Sequence, residues 1–128
     1  MDEDKKAIMS IIDEYLNAIR TGKDEHFQAA FRPDAVVINA SEQDESKVVT
    51  PIADFVQRVK KRHAEGTKLE ETADKVTLSV ANDVANARVD YRLVVGDATM
   101  FGTDFFNLIK RGGQWRISQK IFDVARTE

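Results

Sequence analysis

The chain has 128 residues, which fits one domain around one core. Its formal net charge is −3, with 42% hydrophobic and 32% charged residues, so the composition is globular and lacks the basic surface that nucleic acid requires. It has no cysteine, which excludes disulfides, thiolate metal sites and a cysteine nucleophile, and no apolar run approaches the roughly 20 residues needed to span a bilayer.

The opening MDEDKKAIM is acidic and polar, unlike a secretory leader, and the expected location is the cytoplasm. Asp2, Glu3 and Asp4 place negative charge where a helix N-terminus is electropositive. Ala7, Ile8, Ile11, Ile12, Tyr15, Leu16 and Ile19 then follow the spacing of an amphipathic helix, and Gly22 is a natural stop. Asp24 to Phe31 predicts a short second helix, broken by Pro33-Asp34, and Ala35 to Asn39 predicts a short strand. Ser41 to Lys47 is polar and reads as a loop or a solvent-facing hairpin arm. Thr50-Pro51 predicts a helix start, with a hydroxyl N-cap and proline at the first helical position. Ile52, Phe55, Val56 and Val59 form that helix's apolar stripe, which ends near Gly66.

Everything after Gly66 reads as a β-meander. Val76, Leu78 and Val80 alternate with polar residues, and Asn82-Asp83 turns the chain. Ala87, Val89, Tyr91, Leu93 and Val95 alternate next, with Arg88, Asp90 and Arg92 on the other face; Gly96-Asp97 is a hairpin turn. The last two strands flank Lys110-Arg111-Gly112-Gly113. Helices that precede a run of strands predict an α+β fold. The expected architecture is a curved antiparallel sheet wrapped around N-terminal helices, a cone with an internal pocket, formed by residues 1–128 as one domain. No internal repeat or interdomain linker is visible.

The stretch Thr103 to Phe122, TDFFNLIKRGGQWRISQKIF, resembles the nuclear transport factor 2-like superfamily, and most closely its "putative lumazine-binding" branch of small bacterial proteins. The resemblance rests on an Asp followed by aromatics, on Lys110 and Gly113, and on Trp115, Ile117 and Lys120; Tyr15, Ala30-Phe31 and Pro33-Asp34-Ala35 fit more loosely. The same superfamily contains ketosteroid isomerase, whose oxyanion is held by a first-helix Tyr and a protonated late-strand Asp while a separate Asp moves the proton. The resemblance puts Tyr15 and Asp104 at the two donor positions and Asn39 at the base position, where an amide cannot accept a proton near neutral pH.

Asp104 is the main lead, because a carboxylate in a strand with two partly apolar faces is expensive to bury without a partner. It shares a face with Gly102, Phe106 and Leu108, which suits a cavity wall. One reading is a neutral acid donating into a pocket; the other is a structural residue paired with Arg88, Arg92 or Lys120, or one facing solvent or a subunit interface. Tyr15 is either a pocket donor or core packing. Asn39 either orients a ligand or begins a turn. His63 and Asp90 are the remaining candidates for a base, and His63 also suits a helix C-terminus as a cation or rim residue. Phe31, Phe55, Phe106 and Trp115 are core residues that could also wall a flat apolar ligand site. Two histidines, His26 and His63, at unrelated positions make a poor metal set, and neither metal nor cofactor is expected. Arg58, Lys60, Lys61 and Arg62 read as a solvated helix face.

The reading that results is a small-molecule-binding protein with an apolar cone-shaped pocket, dimeric through the outer sheet face. The alternative is an isomerase, dehydratase or cyclase that stabilises an enolate. No nucleic acid and no membrane partner is expected.

Overall fold

A computed structural model describes residues 2–128. Helix α1 (Glu3–Thr21) begins at Asp2, whose carboxylate accepts from the Asp4 N–H at 2.9 Å, and ends at Gly22 in the left-handed conformation at φ 70°. Its stripe Ile8, Ile12, Tyr15, Ala18 and Ile19 is buried. A short helix α2 (Asp24–Ala30) leads directly into strand β1 (Phe31–Asn39), which starts earlier than expected and carries Pro33 within it. After a 3-10 turn at Glu45–Lys47, Thr50 lies in a three-residue strand β2 (Val49–Pro51), and α3 (Ile52–Ala64) follows. Thr50 is therefore a strand residue paired with Val37 rather than a helix cap.

Strands β3 (Leu69–Ala81), β4 (Val84–Val95), β5 (Ala98–Arg111) and β6 (Gln114–Thr127) form the meander. The six-stranded curved sheet has the order β2-β1-β6-β5-β4-β3 and does not close. It is mixed rather than wholly antiparallel, because β1 runs parallel to β6. That arrangement follows from the helical crossing: α3 and its loop carry the chain from β1 to the far edge, and the meander then returns to β1. Helix α1 lies against β3 and β6, and α3 lies against β1, so the helices cover one face of the sheet. Among the described residues no helix is long and apolar enough to cross a membrane.

Three bulges break the period-two alternation within the β3–β6 meander. Asp74 is the extra residue in β3, between the pairs Ala73–Tyr91 and Lys75–Asp90. Ser118 is the extra residue in β6, between Ile117–Leu108 and Gln119–Asn107, and its hydroxyl donates to the Asn107 carbonyl at 3.0 Å. Ala125 is the third, opposite Phe101 and Gly102. At Gly102 a Cβ would collide with the Asp123 carbonyl oxygen and the Tyr91 hydroxyl, which donates to that same carbonyl at 2.6 Å. Each bulge inverts which residues face the helices, because side chains alternate strictly along a strand.

Candidate functional site

A cavity of about 290 Å³ lies between the C-terminal half of α1, α3 and the sheet. Most of its wall is apolar or aromatic, with Ile19, Phe55, Val59, Leu93, Val95 and Phe122 among the lining residues. Four of its polar lining side chains, from four elements, gather in one group: Tyr15 from α1, Glu71 from β3, Asp104 from β5 and Lys120 from β6. All four are buried, with exposures of 1%, 7%, 1% and 3%. The Tyr15 hydroxyl donates to Glu71 Oε1 at 2.6 Å. Glu71 lies within hydrogen-bonding reach of Asp104, and Lys120 Nζ is 3.4 Å from Asp104 Oδ1. The ammonium also sits 3.7 Å from the centre of the Phe122 ring.

The bulges explain how charged groups come to face an apolar cavity. In β3 the inward residues are Leu69, Glu71 and Ala73 before Asp74, then Val76, Leu78 and Val80 after it. In β6 Trp115 and Ile117 face inward before Ser118, then Lys120 and Phe122 after it. Without those insertions Glu71 and Lys120 would point to the outer face. Asp104 needs no such device; it shares its face with Phe106 and Leu108, as the alternation predicts.

The other predicted residues are distributed differently. Asn39 and Phe55 line the cavity, and Asn39 Oδ1 also accepts from the Ser41 N–H at 2.9 Å, so it starts a turn as well. Phe31 and Phe106 pack edge-on against Tyr15, at 6.0 and 4.9 Å between ring centres, and stand behind the cavity wall. Trp115 is at the opposite end of α1, where its Nε1–H donates to Asp4 at 3.0 Å beside Lys110, and it clamps the helix start to the last hairpin. It lies outside the cavity because it precedes the Ser118 bulge at the turn end of β6.

Neither expected base reaches the site. Asp90 lies on the outer sheet face, bonded by the Thr103 hydroxyl at 3.0 Å and paired with Arg88, because Val89 and Tyr91 take the inward positions of β4. His63 Nε2–H donates to the Ile19 carbonyl at 2.8 Å and clasps the end of α1 against Gly22. A carbonyl only accepts, so this nitrogen carries the proton. Among the described residues no cluster of three or more His, Asp or Glu is placed to hold a metal ion.

Glu71 was missed because the Val76, Leu78, Val80 alternation, run backwards, places it outside. A signal existed: Leu69 and Ala73 are in the opposite phase to Val76, and Ile117 to Phe122. Both sets can face one core only if a residue is inserted between them.

Two carboxyl groups and one ammonium share this buried wall, so one proton between the carboxyls balances the charge. Burial, then the charge of Asp104 and the hydrogen bond to it, push Glu71 well above its ordinary value of 4.5, outweighing Lys120 and Tyr15. Glu71 Oε1 accepts from Tyr15, and a proton on Oε2 would donate to Asp104, giving a partner to Oε2 and to one Asp104 oxygen that are otherwise buried without one. Burial and the two carboxyls likewise push the Tyr15 phenol well above its usual range, so it remains a donor. The unfolded chain releases the Glu71 proton near 4.5, whereas the native state keeps it. Native protein therefore binds the extra proton above that pH, and stability declines as pH rises toward the raised native value, by at most about 1.4 kcal/mol per pH unit. Glu71→Gln supplies the same acceptor and donor without a charge. In urea unfolding at about pH 5 and about pH 8, the stability of Glu71→Gln relative to wild type is expected to grow with pH. Parallel profiles would contradict the shared proton.

The chain matches the family described as "putative lumazine-binding" over residues 3–123. No curated protein matches. Among solved structures, a Kribbella flavida protein aligns with a TM-score of 0.82 at 12% identity, covering 98% of this chain and 93% of its own. A structure titled putative scytalone dehydratase, from Novosphingobium aromaticivorans, aligns at 0.78 and 18%, covering 98% and 86%. A nuclear transport factor 2-like protein of unknown function from Shewanella baltica aligns at 0.70 and 20%, covering 98% and 94%. At these identities the solved structures establish the fold alone. The match over nearly the whole chain establishes more: this protein belongs to the putative lumazine-binding family.

Proposed function

We propose that this protein binds a small, largely apolar molecule in the cavity between α1, α3 and the sheet. The observation that carries the reading is the convergence of Tyr15, Glu71, Asp104 and Lys120 on one wall of a largely apolar cavity. Burying three ionisable side chains costs several kcal/mol per ion before pairing, and a hydrophobic replacement is often neutral or stabilising. Such a cluster makes more sense as ligand-orienting chemistry than as support for the fold. A ligand hydroxyl or carbonyl would meet the polar wall while Phe55, Leu93 and Phe122 cover its body.

We also propose a homodimer through the outer face of the last strands. Phe105 stands 41% exposed there, directly opposite Ile121 in the β5–β6 register. Native mass spectrometry at micromolar concentration reads both proposals. The expected spectrum is a dimer whose protomers release a small molecule on denaturation, while Leu93→Trp, which puts an indole into the space the ligand body would occupy, releases none. A monomer removes the dimer, and equal release by both proteins removes the cavity.

A second reading is favoured by Glu71, which sits beside Tyr15 where burial and the neighbouring Asp104 favour its neutral form. A phenol and a neutral carboxyl side by side are a donor pair for a developing oxyanion, as in ketosteroid isomerase. In that case Glu71 takes the donor role expected of Asp104, Tyr15 turns its hydroxyl toward the ligand oxygen, and Asp104 is the base near the reacting carbon. A phenol with a solution pKa near about 7 tests this, since its anion resembles the enolate. Bound to wild type it should ionise more readily than in water, and Tyr15→Phe should remove the effect. Ionisation unchanged from water would eliminate the enolate reading and leave simple binding.

A further inference from the structure

The basic run Arg58, Lys60, Lys61 and Arg62 is not one uniform solvated face. Lys60 turns toward α2, where its ammonium pairs with Asp24 at 2.6 Å. Lys61 lies outside the cavity. Arg58 and Arg62 are one helical turn apart and lie on the side of α3 that carries Phe55 and Val59, so both reach the cavity lining. Both are solvent-exposed along part of their length, which places them at the cavity mouth. Neither forms an ion pair among the described residues; Arg58 makes one long contact, from Nη1 to the Thr50 hydroxyl at 3.4 Å. Glu65 is the acidic side chain beside them, in a shallow depression it shares with Arg58, Lys61 and Arg62.

The cavity is thus polar at both ends and apolar between them. Deep inside, Lys120 faces Asp104 and is already matched. At the mouth two guanidinium groups face the opening with no carboxylate bound to either. Guanidinium groups bind carboxylate, sulfonate and phosphate through paired N–H donors, and they do so more strongly where an adjoining apolar wall excludes water.

We infer that Arg58 and Arg62 select an anionic amphiphile, whose apolar body fills the cavity and whose carboxylate, sulfonate or phosphate group rests on the two guanidinium groups at the mouth. This deepens the proposed ligand-binding reading and rests on it. A neutral apolar molecule of the same shape would fill the same space but gain nothing at the mouth.

Two fluorescent probes with one body separate these terms: 8-anilinonaphthalene-1-sulfonate, which is anionic, and N-phenyl-1-naphthylamine, which lacks the sulfonate. Both are titrated against wild type, the double variant Arg58→Gln/Arg62→Gln, Leu93→Trp, and Lys5→Gln/Lys6→Gln. The last pair makes the same change in net charge on exposed residues of the first turns of α1. The arginine variant should weaken the sulfonate probe about tenfold or more and change the neutral probe less than about twofold, consistent with the loss of charge-assisted hydrogen bonds. The lysine variant should leave both affinities unchanged, and Leu93→Trp should exclude both probes. The arginines lie on the surface of α3, so their replacement leaves the core intact. If both probes bind wild type, are excluded by Leu93→Trp, and are indifferent to the arginine variant, the anion inference is overturned while the cavity reading stands. If neither binds, or Leu93→Trp binds both as well as wild type does, the cavity reading falls and the inference with it.

Discussion

The structure turns on one buried contact set: the Tyr15 hydroxyl on Glu71, Glu71 against Asp104, and Asp104 facing Lys120. It ties α1 to β3, β5 and β6 from inside the core, away from the Trp115–Asp4–Lys110 clamp at the start of the helix. Its members are interdependent. Without Lys120, Asp104 would be a buried charge with no counterion; without the proton on Glu71, two carboxylates would face each other in a medium that screens poorly. Without Tyr15, one Glu71 oxygen would lose its donor. Such a network holds together as a unit or is costly in part.

The bulges at Asp74 and Ser118 make that unit possible. A regular β3 and β6 would present Glu71 and Lys120 to the outer face, leaving Asp104 alone inside with Tyr15. Each insertion re-aims one charged side chain, one in the edge strand β3 and the other in β6. Curvature and chemistry therefore share a cause, since the residues that bend the strands also set which groups enter the cavity.

Most of the fold can be read directly from the residues. The α1 stripe, the Gly22 stop, the hairpin turns and the inward set of β4 follow from periodicity and glycine chemistry, and they stand where expected. The start of α3 does not, because Thr50-Pro51 serves two structures: it closes a short strand beside Val37 before the helix begins. The parallel β1–β6 pairing is a tertiary choice with no local signature. Of the site, Asp104 was visible as a carboxylate in an apolar strand, and Tyr15 as a stripe residue that the ketosteroid isomerase resemblance puts at a donor position. Glu71 was hidden because period-two reasoning carries no memory across an inserted residue. Lys120 was visible as a possible partner for Asp104 and as a residue of the motif that carries the family resemblance. Trp115, conspicuous as the chain's one tryptophan, proved to anchor the far end of α1.

The central claim is that Glu71 keeps its proton at neutral pH. Carbon-13 NMR of the Glu71 side-chain carboxyl, assigned by comparison with Glu71→Gln, reads that proton directly. The account predicts a carboxyl resonance at the position of a protonated acid at about pH 7, well above the ordinary 4.5 at which a solvated glutamate titrates. A resonance at the carboxylate position at that pH, titrating with the exposed glutamates, would contradict it.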